Sequence, residues 1–480
     1  MKQVFSYSLI YAIGNAANSA ALLLVIPYLI NTLTPAEYGA WSLFEIAIAL
    51  LNLLILTGLE VGLMREYWFQ DNEQQRKRLV GNTLMMTSAI GIVIVAGGAG
   101  VVAGGIDFDL PGAPHTLLLV LAIGWSEAIF TVFLTLFRIR EQPITFITLS
   151  IGRMALFALL AIGLVESGFG LTGALGARLI ATVSFITAGL IVGWRWIAWQ
   201  LDRALIRRIV SYGLPILPAN FAAYVLLAAD RYIMQGVLSL ESVAIYTFAY
   251  KIATVLDVLV TRPFALDWAP RRFKIATQPH PEQKYAQALL IYLWVALSFA
   301  LAVIALTPLL YALIAPPAYW PAMDLVPVIL LAYIIYGLSY PLNVGIMLKD
   351  RTRDLPVIGW IAACCSLALC FWWIPAFGIA GAAWATVVSY VVWTGLITLD
   401  SLRLYPLRYP WLLIGGMIGV SGIGYGGLWL SAQWWPATEP VVAALRLGWV
   451  ILVMSGYGFW LWQHIQHRQP SFIDLPVTGD

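Results

Sequence analysis

Residues 168–177 read GFGLTGALGA, and residues 376–385 read AFGIAGAAWA. Both fit the pattern F-G-[LI]-x-G-A, at an offset of 208 residues. Each copy opens a long apolar run, and small residues at such spacing let helices approach closely in lipid. A second, weaker echo pairs LTPAEYGAWSLFEIA (33–47) with LSLESVAIYTFAYKIA (238–253), at an offset of 205. Each is a short polar loop, a small residue and an aromatic-rich helix start. Two matches at nearly one offset, at equivalent places in the hydropathy pattern, indicate a duplicated unit.

Composition says what kind of unit is repeated. Of 480 residues, 61% are hydrophobic and only 11% charged, and the mean hydropathy is +0.85. Soluble domains carry about 25% charged residues. The expected fold is therefore an all-α polytopic membrane protein, with about 14 transmembrane helices of roughly 20 residues each. A net charge of +3 gives no pull toward nucleic acid. The three cysteines, Cys364, Cys365 and Cys370, share one apolar run, which excludes a disulfide framework and offers no metal spacing. His464 and His467 read as a polar end of the last span, and no metal or other cofactor is expected. Lys2 precedes an apolar run without a small-residue cleavage site, which reads as a retained first span.

The basic residues fix the orientation. All but six of the 27 Lys and Arg lie at the termini or in connections after even-numbered spans, such as Arg76 to Arg78, Arg203 to Arg208 and Arg271 to Lys274. Connections after odd-numbered spans, such as NTLTPAE and VLSLE, carry none. By the positive-inside rule both termini are expected in the cytoplasm. Because six spans make one repeat, both copies begin on the same side. The expected architecture is two parallel six-helix lobes, 1–205 (spans 1–6) and 206–405 (spans 7–12). Residues 406–480 add spans 13 and 14 and a tail. Parallel lobes with a path between them are an arrangement of alternating-access transporters.

The six remaining basic residues, Arg153, Arg178, Arg231, Lys251, Arg262 and Arg446, fall inside spans. Charges there are expensive and are functional candidates by default. Glu127 on span 4 and Arg153 on span 5 lie at equal depth from their connecting turn, so they are expected either to pair or to face a wet cavity. Lys251 and Arg262 are spaced to lie on nearly one face of span 8, with no acid between them and Asp257 pointing elsewhere. This basic ladder, with Arg153, Arg178 and Arg231, suits an anionic substrate such as a diphosphate. Asp230, Glu127, Asp257, Glu45 and Glu60 are the candidates for a coupling ion or proton. Asp230 and Arg231 are adjacent in YVLLAADRYIMQG (224–236), and adjacent side chains point about 100° apart. Arg231 is therefore expected to reach for the headgroups and Asp230 to turn inward, toward Lys251 or a cation. Arg446, near the end of span 14, is expected to snorkel. Asn15, Asn18 and Asn52 read as interhelical hydrogen-bond formers.

No phosphate-binding loop, zinc-protease motif or nucleophile elbow is present, and the longest outer loop holds only Asp107 and Asp109. An enzyme is not expected.

The run PYLINTLTPAEYGAWSLFEIAIALLNLLILTGLEVGLMREY resembles the opening of the polysaccharide transporter family, the O-antigen (Wzx-type) flippases. GLPILPANFAAYVLLAADRYIMQGVLSLESVAIYTFAYKIA resembles that family's seventh and eighth spans. The family belongs to the superfamily of multidrug and toxin extruders and lipid II flippases. The resemblance implies a flippase of the bacterial cytoplasmic membrane. It would move a polyprenyl-diphosphate-linked oligosaccharide outward for O-antigen, capsule or exopolysaccharide synthesis. It would act as a monomer among membrane lipids, with a polysaccharide polymerase as a partner. By position, Asp230 resembles a cation ligand of the lipid II flippases and Lys251 a basic residue of their span 8. This chain has no charge in 7–31 and no acid in 355–399, where those proteins have theirs, so lipid II is not the expected cargo. The alternative is a cation-coupled multidrug or metabolite exporter of the same superfamily.

Overall fold

A computed structural model describes residues 25–104, 115–435 and 438–467. Lys2, Asn15, Asn18, Asp107, Asp109, Arg468 and most of span 1 lie outside the described residues, as do the side chains of His464 and His467. The described residues form helices and connections, with no strand.

Among the described residues, eleven helices are long and apolar enough to cross a membrane. Two of them are too long for one crossing: Pro143–Trp196 has 54 residues and Asp354–Leu404 has 51, against roughly 20 per crossing. Each is broken near its middle, at Gly168 and Gly170 in the first and at Gly378 in the second. The eleven thus provide thirteen crossings, spans 2 to 14. These breaks are the two copies of F-G-[LI]-x-G-A. Gly170 has φ 49 and ψ −133; Gly378 has φ 61 and ψ −141. That region is open to glycine alone. The motif is a helix-to-helix reversal that keeps its conformation in both copies.

The weaker echo has a physical basis as well. Span 2 begins at Pro35, capped by Thr34, whose hydroxyl accepts from the Glu37 amide at 3.3 Å. Span 8 begins at Leu240, and the Ser239 hydroxyl accepts from the Ser242 amide at 3.2 Å. A hydroxyl cap stands at the same place in each copy. Each of these helices also departs from regular α geometry at equivalent places. Span 2 stops at Leu56, and Thr57 and Gly58 take positive φ before the helix resumes as Leu59–Trp68. Span 8 runs from Leu240 to Leu256, widens into a π-turn at Asp257–Thr261, and continues as Arg262–Ala276.

The chain divides into two compact units, Met1–Ala244 and Ile245–Asp480. Span 7 (Leu217–Val237) packs in the first: the Tyr232 hydroxyl donates to the Leu43 carbonyl at 3.1 Å, and that of Tyr224 to Ile46. In the connection before span 7, Asp202 caps the short helix Arg203–Gly213. That helix buries Leu205 and Ile209 and turns Arg203, Arg207 and Arg208 outward. The core of this unit is aliphatic and phenylalanine-rich, with Phe130, Phe133, Phe137 and Leu136 of span 4 (His115–Ile139) at its centre. In the second unit Trp268 and Tyr285 are fully buried with Leu342, and the Trp268 indole donates to the Tyr340 carbonyl at 2.9 Å.

Candidate functional sites in the two units

In the first unit, four charges from four spans meet at mid-helix. Glu127 of span 4 is the hub. Arg153 of span 5 (Pro143–Leu164) donates Nη1 to its Oε1 at 2.8 Å, and Arg178 of span 6 (Gly170–Gly193) donates Nε to the same oxygen at 3.0 Å. Arg178 Nη1 also stands 4.0 Å from Oε1 of Glu45 on span 2. The Arg153 guanidinium lies 4.9 Å over the Phe130 ring. Side-chain exposures of 14 to 21% place the four at the margin of the packed interior. The equal depth of Glu127 and Arg153 in the sequence is realised as this contact. The set sums to zero charge, so Arg153 and Arg178 are neutralised where they stand. A ligand anion reaching them must compete with Glu127 and Glu45. Glu60 lies past the break in span 2, in Leu59–Trp68, outside this set.

Asp230 and Arg231 are both buried, and they face each other. Arg231 folds back, its Nη1 2.9 Å from Asp230 Oδ1 and 2.6 Å from the Leu227 carbonyl. The expectation that the two diverge fails because the arginine stem is long enough to cross the angle between neighbouring positions. Arg231 does not reach toward the headgroups.

In the second unit, the basic ladder on span 8 is corrected. Arg262 donates Nε to Asp257 Oδ2 at 2.7 Å, so an acid does neutralise it. Residues five apart stand about 140° apart on an α-helix. The π-turn at Asp257–Thr261 hydrogen-bonds i to i+5 and brings them to one side. The same extra residue turns the rest of span 8 by roughly 100°, which takes Lys251 and Arg262 off a common face. Arg262 remains 65% exposed, while Asp257 is buried.

Beside Lys251 lies a group that the charge pattern did not reveal. Tyr250 packs edge-on to Tyr333 at 5.6 Å, and the Tyr333 hydroxyl bonds Thr254 at 2.9 Å. Tyr336 packs on Tyr390 at 5.1 Å. Thr261, in the π-turn, bonds the Tyr292 hydroxyl at 3.1 Å, and Gly337 leaves the room that this ring needs. The signal is present in YIIYGLSY (333–340), whose tyrosines recur at i, i+3 and i+7 on one helical face.

Arg446 is also corrected. It is 6% exposed, so it is buried among spans 13 and 14 and does not snorkel.

A model of the family described as "Polysaccharide biosynthesis protein" matches residues 4–275, more than half of the chain. The chain belongs to the polysaccharide biosynthesis protein family. No curated protein sequence matches this family member. Among solved structures it is similar to a lipid II flippase, MurJ, in an inward closed conformation, with a TM-score of 0.76 at 12% identity. That match covers 96% of this chain and all of the other. It is also similar to an outward-facing multidrug resistance transporter of the MATE family and MOP superfamily, with a TM-score of 0.55 at 16% identity over 85% of this chain and 96% of the other. A MOP superfamily transporter from Pyrococcus furiosus gives 0.54 at 15% identity, over 84% of this chain and 95% of the other. At these identities the likeness concerns the fold, which this polysaccharide-family member shares with flippases and extruders as a multi-pass membrane protein.

Proposed function

We propose that the chain is a flippase that moves a polyprenyl-diphosphate-linked oligosaccharide from the cytoplasmic to the outer face of the bacterial inner membrane, by alternating access. The observation that carries this is the family match over residues 4–275. It is supported by a fold similar to that of MurJ over 96% of the chain. The chemistry of the candidate sites suits the cargo. A diphosphate needs cations: Arg153, Arg178 and Arg231 would bind it by exchanging their present carboxylates for it, Arg262 would bind it beside its own, and Lys251 stands on the same span as Arg262. A sugar needs hydroxyls and aromatic faces, which Tyr250, Tyr333, Tyr336 and Tyr390 provide. The product would feed surface polysaccharide synthesis, whether O-antigen, capsule or exopolysaccharide, with a polymerase as downstream partner. In this reading the chain is a transporter, not an enzyme, works as a monomer, and has both termini in the cytoplasm.

The test is the double variant K251Q/R262Q in a host that depends on this chain for its surface polysaccharide. The expected result is loss of polysaccharide and accumulation of lipid-linked oligosaccharide on the cytoplasmic side, with the protein's membrane level unchanged. Normal polysaccharide in that variant overturns the proposal.

The fold similarity to MATE extruders favours one rival, a cation-coupled exporter. That reading needs a working acid among Glu45, Glu60, Glu127, Asp230 and Asp257. It predicts a cationic-drug resistance phenotype that disappears with one of them.

A further inference from the structure

The stretch DVLVTRP (257–263) holds an acid and an arginine five residues apart inside span 8. Two bonds join them. The Arg262 amide donates to the Asp257 carbonyl, and Arg262 Nε donates to Asp257 Oδ2 at 2.7 Å. Pro263, next in the chain, removes an amide from the helical ladder and crowds the carbonyl four residues before it. That favours the slip into the wider turn. The turn is also held from outside. The Thr261 hydroxyl bonds that of Tyr292 on span 9 (Pro281–Ile314). Gly337 on span 10 (Leu325–Leu342) lies so close to both that a Cβ there would collide with the tyrosine hydroxyl.

The result is a guanidinium whose plane is set while its tip stays open. The Asp257 side chain is 11% exposed and that of Arg262 65%. Nε is occupied, but Nη1 and Nη2 bond no protein group among the described residues. The arginines of the first unit differ. Arg153 and Arg231 each give Nη1 to an acid, Arg178 divides Nε and Nη1 between two acids, and their side chains are 7 to 20% exposed. An anion reaching those three displaces a carboxylate. At Arg262 the edge of the fork away from Asp257 is free. Two N–H groups on one edge match two oxygens of a phosphate or diphosphate.

We infer that Asp257 is a positioning residue that aims the Arg262 fork, and that Arg262, with Asp257 still bound to it, holds a phosphate of the lipid-linked cargo. This rests on the flippase reading and gives Asp257 a role other than coupling. The alternative role, plain neutralisation of Arg262, predicts the opposite sign. Removing an acid that only neutralises strengthens anion binding, because a negative charge is lost. Removing an acid that aims the fork weakens binding in spite of that loss, because the side chain must then be ordered by the ligand.

The test is the affinity of the purified full chain in detergent for farnesyl diphosphate and for inorganic pyrophosphate, measured by native mass spectrometry. R262Q is expected to weaken both roughly tenfold, about the worth of one charge-assisted hydrogen bond. R262K, which keeps the charge without the fork, weakens both by less. D257A weakens both about threefold or more. D257L, nearer to aspartate in volume, does the same and covers the case in which D257A fails to fold. D257N, whose amide oxygen still accepts from Nε, restores wild-type binding. In the R262Q background D257A adds no further loss, since no fork is left to aim. Tighter binding by D257A or D257L, D257N as weak as R262Q, an undiminished R262Q, or a full further loss in the double variant each overturns the inference. Wild type that binds neither probe overturns the flippase reading with it, whereas binding indifferent to both residues overturns the inference alone. A loss in R262Q confined to pyrophosphate overturns the assignment to lipid-linked cargo and leaves a free-anion site.

Discussion

Glu127 holds two guanidinium groups on one carboxylate oxygen, at 2.8 and 3.0 Å. Replacing it with glutamine keeps the volume but leaves Arg153 and part of Arg178 uncompensated in a low-dielectric interior. Breaking such a cluster from one side costs about 3–5 kcal/mol. E127Q is therefore expected to lower the apparent melting midpoint in detergent far more than R153Q, which leaves Glu127 paired with Arg178. The double variant E127L/R153L should recover part of the loss, because an apolar pair can replace an ion pair at little cost. An E127Q midpoint equal to wild type would show that the cluster is solvated. This pair was legible in the sequence because helix rise is uniform, so equal distance from a turn means equal depth. Two other pairs were not legible. Arg231 meets its neighbour Asp230 through its own flexible stem, and Arg262 meets Asp257 only because the helix widens locally. Neither side-chain folding nor a π-turn is written in hydrophobic periodicity.

At the scale of elements, the duplication is carried by a few backbone-determining residues. Gly170 and Gly378 share a conformation that residues with a Cβ avoid, and Thr34 and Ser239 cap helices at matching places. Side-chain identity elsewhere is free to drift, which is why only short echoes survive in the sequence. The reversals are therefore expected to be intolerant in a specific way. G378A and G170A should each cost about 1–3 kcal/mol through backbone strain. G395A provides the control, since it lies in a helix, a Cβ there meets nothing, and alanine is the better helix former by up to about 1 kcal/mol. Melting midpoints in one detergent check this: G378A and G170A fall while G395A holds or rises. A uniform response of all three would refute a conformational role for the motif. The pattern could suggest the reversals but not the breaks in spans 2 and 8. Thr57 takes the left-handed region beside the close approach of Gly58 to Gly213, and the widened turn at Asp257–Thr261 has no counterpart in the hydrophobic pattern.

At the scale of the whole molecule, orientation rests on the basic connections. The helix Arg203–Gly213 illustrates the physics: Leu205 and Ile209 are packed inward while Arg203, Arg207 and Arg208 face out. A segment of this kind resists translocation and is attracted to the anionic leaflet, by about 1 kcal/mol per basic residue. The turn into span 8 has no such charge, and Glu241 stands exposed at its start. The two positions should therefore lie on opposite sides of the membrane, with one crossing, Leu217–Val237, between them. A variant lacking Cys364, Cys365 and Cys370 is given a single cysteine, either R207C or E241C. A membrane-impermeant maleimide should label E241C in intact cells and R207C only after permeabilisation. R351C, in the basic connection after span 10, should behave like R207C, since an even number of crossings separates the two. Labelling of R207C in intact cells would invert the orientation. Opposite behaviour of R207C and R351C would break the span count between them.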